Sequence, residues 1–137
     1  MKHSTNYTNT FIEIAEDCKV AQGEMPPIKG DKKSIANMQF EMLFENPYKF
    51  TSDDVLYTVF ANRKEIPESE FEEMREVFFS KGQPCFRASP LTKTYGWGVH
   101  NDEQGRIAIY GAESAEYKKF VEDPTIETVK AMRSKRV

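Results

Sequence analysis

Between Phe78 and Gly111 the chain reads FFSKGQPCFRASPLTKTYGWGVHNDEQGRIAIYG, and most of its reactive side chains fall here. This stretch holds one of the two cysteines, one of the two histidines, the only tryptophan and five of the seven glycines. Lys81, Arg87 and Lys93 supply positive charge, Ser89, Thr92 and Thr94 supply hydroxyls, and Gly82 can free backbone N–H groups in a turn. A phosphate or carboxylate is the natural guest of such a group. No GxxxxGK[ST] or GxGxxG accompanies it, and loops carry the same composition for turn-making alone. Cys85 is the candidate nucleophile, with Arg87 in its own segment and His100 as the candidate base. The competing reading is a buried, inert thiol between Pro84 and Phe86.

Tyr95–His100 and Arg106–Gly111 predict a hairpin around residues 101–105. With that loop His100 faces Arg106, Gly98 faces Ala108 and Gly96 faces Tyr110. Tyr95, Trp97, Val99, Ile107 and Ile109 then share an apolar face. The opposite face carries Gly96, Gly98, His100, Arg106, Ala108 and Tyr110. Glycines inside a strand mark a close approach of something to the backbone. A helix packed on this glycine floor, Tyr110 lying across it, or a ligand rimmed by His100, Arg106 and Tyr110 would each account for it.

Other site chemistries are poorly supported. His3, Cys18, Cys85 and His100 make up a Cys₂His₂ inventory, but no two have ligand-like spacing, so no metal and no cofactor are expected. No pair of carboxylates stands out as an acid/base couple. The net charge of −3 argues against nucleic acid as a partner of the whole chain. Charge is unevenly spread: residues 65–76 carry six glutamates and one arginine, and KAMRSKRV at the end carries four cations and no acid. A solvated helix face and a solvated tail explain both.

At 137 residues, 39% hydrophobic and 30% charged, the composition fits one α+β domain over residues 1–137. No apolar run approaches the ~18 residues a membrane span needs, and MKHSTNYTNTFIEIA lacks a signal-peptide core. The expectation is a cytoplasmic protein with no membrane partner and two reduced cysteines. Oligomeric state is left open.

The elements that must position these residues follow in chain order. Thr10–Ala15 alternates as a short strand, and residues 16–33 have no usable periodicity, which favours a flexible loop. Ser34 caps a helix over Ile35–Glu45, which ends before Pro47. Val55–Ala61 is β-branched, aromatic and apolar on both faces, so it reads as a central strand, with a helix capped by Ser52–Asp54 as the alternative. Ser69 and Glu72 fit a capping box for a helix burying Phe71, Met74 and Phe78, with Gly82 as its left-handed cap. Ser114 caps a helix over Ala115–Glu122, and Asp123-Pro124 begins another with Ile126, Val129 and Met132 spaced three apart. That order implies a mostly antiparallel sheet of about four strands with helices packed on it.

SDDVLYTVFA, FFSKGQPCFRASPLTKTYGWG and the closing KAMRSKR resemble an uncharacterised bacterial family known only as a domain of unknown function. The resemblance spans nearly the whole chain and implies a small bacterial protein, but it carries no assigned activity and no catalytic residues. Three function classes remain. The first is a binding domain for an anionic ligand, using Lys81, Arg87, Ser89, Lys93, Gly96, Gly98, His100, Arg106 and Tyr110. The second is an enzyme using Cys85 with His100. The third is an interaction module whose basic terminus, Lys130 to Arg136, docks on an acidic partner or nucleic acid.

Overall fold

Two helices start where short polar side chains can take up their first free N–H groups. In this computed structural model, which describes residues 3–134, the Ser34 hydroxyl accepts from Asn37 N–H and opens α1 (Ile35–Glu45). Asn37 returns the bond to Ser34 N–H, which completes a capping box. Thr51 and Asp54 make the same reciprocal pair and open α2 (Ser52–Arg63).

The segment expected as a central strand, Val55–Ala61, is therefore helical. Its apolar character has a tertiary cause. Val55 and Val59 pack on the main core with Leu43, Ile107 and Ile109, while Tyr57 and Ala61 pack on a second cluster with Phe60, Phe78 and Phe79. A helix buried on two sides loses its polar stripe and resembles an interior strand in sequence.

After Pro67 a 3₁₀ turn over Glu68–Glu70 leads into α3 (Phe71–Phe78), which has no side-chain N-cap. The expected Ser69–Glu72 box does not form. Phe71, Met74 and Phe78 do pack together, around the fully buried Tyr57, whose hydroxyl donates to Phe71 O at 2.6 Å. The chain leaves the helix at Phe79, whose ring joins the Tyr57 cluster. Ser80 Oγ and Gln83 Nε2 donate to the last carbonyls, so Gly82 is not needed as a left-handed cap and does not act as one.

A second 3₁₀ turn, Phe86–Ala88, and the short α4 (Pro90–Lys93) bring the chain to the hairpin of β2 (Trp97–Asn101) and β3 (Ile107–Gly111). Its register differs from the expected one: Gly98 pairs with Tyr110, Val99 with Ile109 and Asn101 with Ile107. Asp102 Oδ1 accepts from the N–H groups of Gln104 and Arg106, and Gly105 at φ 79° closes a three-residue loop. Asn101 therefore stays in the strand. The pairing moves by two residues, so the side chains within the two strands keep their expected faces.

The sheet runs β3-β2-β1-β4, with β1 at Thr10–Glu13 and β4 at Glu127–Lys130. β1 is antiparallel to β2 but parallel to β4, so the α+β class stands while the sheet is mixed. The helix expected after Pro124 is thus a strand. Asp123 spends its carboxylate on the Thr125 N–H and hydroxyl, and Glu127 N–H bonds Asn9 O on the neighbouring segment. α1, α2 and α4 cover the sheet face bearing Ile12, Val99, Ile107 and Ile109, and α5 (Ala115–Glu122), capped by Ser114, covers the other.

Candidate functional site

The glycine floor is occupied by protein. A side chain at Gly98 would meet Phe11 at 2.5 Å and Tyr117 at 2.6 Å, so the space is already filled by a β1 ring and by α5. At Gly96 the carbonyl of Gln22 lies against the backbone. The 16–33 segment that delivers it has neither helix nor strand, yet it is tied down. Glu24 N–H donates to Tyr95 O, Trp97 Nε1 donates to Glu24 O, and Asn37 Nδ2 donates to Pro26 O.

His100 and Tyr110 share the α5 side of the sheet, as expected from the sequence, and Tyr48 joins them. The Tyr48 hydroxyl lies 2.9 Å from His100 Nδ1 and 2.9 Å from Tyr110 Oη. Phe120 stacks on the imidazole with ring centres 4.1 Å apart. Burial lowers the His100 pKa against the pull of Asp102 and Asp123, so the neutral ring is favoured. Burial, and the bond to Tyr110, push the Tyr48 phenol far above its usual range. The cluster is a neutral hydrogen-bonded network at the edge of a polar cleft lined by Asn9, Asp102 and Gln104.

The expected cations are spread over several segments. Arg87 donates from Nε to Lys130 O at 2.8 Å and helps hold β4. Lys81 lies in the bend after α3, Lys93 ends α4, and Arg106 sits at the hairpin end beside Thr51. Ser89 is buried, donating to Gln39 Oε1 at 2.6 Å and capping α4 through Leu91 N–H. In the basic terminus Lys130 pairs with Glu13 at 3.8 Å and Arg133 with Glu16 at 2.5 Å, while Lys135 and Arg136 lie outside the described residues.

Cys85 lies on the α1/α2 side of the sheet and His100 on the α5 side, so the pairing needed for a Cys85–His100 couple is not formed. The thiol instead sits 3.5 Å from the Tyr7 hydroxyl. That contact, then burial, raises the Tyr7 pKa, and Arg87 nearby opposes both. Among the described residues no three His, Cys, Asp or Glu side chains are grouped to hold a metal ion. None of the described helices is long and apolar enough to cross a membrane.

Cys85 and Ser89 do meet at one place, a groove of about 250 Å³ between α1, α2, α3 and the segment 83–90. Ile35, Leu56, Phe60 and Phe78 are among its apolar walls, with Gln39 on the α1 side and Arg63 at the end of α2. Arg63 forms no ion pair among the described residues. The sequence reading missed Arg63, Gln39 and Tyr48. Arg63 and Gln39 sit on helices distant in sequence from the 78–111 stretch, so only the packing of α1 on α2 makes them neighbours of Cys85.

The chain belongs to a family of unknown function, DUF6157, whose model matches residues 2–137. Comparison with curated proteins gives no match, and comparison with solved structures gives none.

Proposed function

We propose that the protein is a small cytoplasmic binding domain for an anionic ligand, and that the ligand is an amphipathic monocarboxylate seated in the groove between α1, α2 and the segment 83–90. The observation that carries this reading is a guanidinium, Arg63, which has no ion-pair partner among the described residues and is the one charged group lining a mostly apolar concavity. Binding sites are typically apolar clefts with a few polar groups that fix orientation. A guanidinium matches a carboxylate through two parallel N–H donors, and apolar walls strengthen that pairing by displacing water. A single cation suits one carboxylate better than a dianionic phosphate, whose second charge would have no partner against Phe60 and Phe78. The Ser89 hydroxyl is committed to Gln39 Oε1, and Arg63 is the one charged group lining the groove, so the acid head is drawn to the Arg63 end.

The volume suits a short alkyl chain or a single ring carrying the acid. Isothermal titration of the full chain with octanoate and with phenylacetate tests it. Saturable one-to-one binding to wild type and a loss of roughly tenfold or more in Arg63→Ala are expected. Equal binding to wild type and Arg63→Ala, or none to wild type, would overturn the assignment.

A further inference from the structure

Gln39 lies on the α1 wall of the Arg63 groove and is only 3% exposed, yet its amide nitrogen has no protein partner among the described residues. The orientation of the amide follows from a chain of donors. Leu91 N–H donates to Ser89 Oγ, so the Ser89 hydroxyl proton needs an acceptor of its own, and Gln39 Oε1 takes it at 2.6 Å. Turning the amide over would set a donor against that proton, so the oxygen faces Ser89 and Nε2 is left over. Among the described residues no fully enclosed polar side-chain atom lacks a partner. Nε2 therefore keeps an opening, and the cavity that Gln39 lines is the groove.

A primary amide nitrogen only donates, so what it lacks is an acceptor. An alkyl chain laid across the groove takes water away from Nε2 and offers nothing in return, whereas a carbonyl oxygen reproduces the bond. Leaving a buried donor unpaired costs more than a made bond returns, so such a group selects sharply between ligands of one shape. A hydroxyl or an amide in the ligand would bring a further proton, for which the walls of Leu56, Phe60 and Phe78 have no acceptor side chain. A ketone brings none. We infer that the ligand is an oxo acid, with a carboxylate for Arg63 and, along its chain, a ketone oxygen that accepts from Gln39 Nε2. The inference rests on the groove being the acid site proposed above, and it adds a second point of recognition on the opposite wall.

Isothermal titration of the full chain with octanoate and with its 4-, 5- and 6-oxo derivatives reads the selection directly. At least one oxo acid should bind wild type roughly tenfold or more tighter than octanoate. Gln39→Met keeps the length of the side chain and removes the donor, so it should abolish that preference while octanoate binds at least as tightly as before. Circular dichroism would confirm that the variant is folded. In the ¹⁵N-labelled wild type, the Gln39 side-chain amide protons should move downfield with the preferred oxo acid and not with octanoate, a readout that needs no variant. Arg63→Ala should weaken octanoate and the oxo acids by the same factor and keep their ratio. Affinities that Arg63→Ala leaves unchanged would overturn the acid site. Equal binding of octanoate and every oxo acid to wild type, a preference that survives in Gln39→Met, or an unmoved Gln39 amide would overturn the carbonyl contact. Binding of none of these acids to wild type would overturn both.

Discussion

Tyr48 has φ 59°, a left-handed backbone angle that bulky side chains rarely adopt and that costs about 1–3 kcal/mol. In that conformation its hydroxyl lies between His100 and Tyr110. If His100 Nδ1 is an unprotonated acceptor, Tyr110 can donate to Tyr48 and Tyr48 to His100, which pairs every group. Protonating the ring breaks this order, because Nδ1 then has no lone pair to offer. The folded-state pKa of His100 lies below that of the unfolded chain, so on acidification the unfolded state takes up the proton first. Stability from this group is full above about pH 6.5 and declines as pH falls toward the folded value. Urea unfolding at about pH 7.5 and about pH 5 should show that loss, and His100→Gln should remove most of it. Asp54, Asp123 and Glu16 have pKa values held below the ordinary carboxylate range, so their losses begin at lower pH. An unchanged pH profile in His100→Gln would disconnect the cluster from the acid sensitivity.

α5 and the hairpin fit because Gly98 has no side chain. A methyl group there would press on Phe11 and Tyr117, and Tyr117 is held by the bond from Ile14 N–H to its hydroxyl. Gly98→Ala should therefore lower stability by about 1–3 kcal/mol, read as a fall in the urea midpoint at unchanged slope. A gain in stability would mean that α5 is free to shift. Several element boundaries could be read from residues alone, since Ser34 and Ser114 cap the helices whose ends they predict. Local rules failed where tertiary burial or pairing decided. α2 lost its polar stripe between two clusters, and three-residue spacing at Ile126, Val129 and Met132 looked helical when strand pairing to β1 was available. The β-branched run Thr125, Ile126, Thr128 and Val129 was the overlooked sign of β4.

Over the whole molecule, much of the 78–111 stretch holds other elements in place. Its glycines admit α5 and the 16–33 segment, Arg87 secures β4, and Ser89 caps α4 while bonding Gln39. The face assignment of the hairpin was legible because alternation fixes it even when the register moves by two. The groove was not legible, because it is assembled from α1, α2, α3 and residues 83–90, and no spacing rule joins Arg63 to Cys85. We propose that this groove, rather than the glycine face, receives the ligand. Chemical-shift mapping of the ¹⁵N-labelled chain during an octanoate titration tests it most directly. Saturable shifts concentrated at Gln39, Phe60, Arg63, Cys85 and Ala88 are expected, with residues 96–110 unmoved. Shifts concentrated at Gly96, Gly98, His100 and Tyr110, with the groove silent, would contradict it.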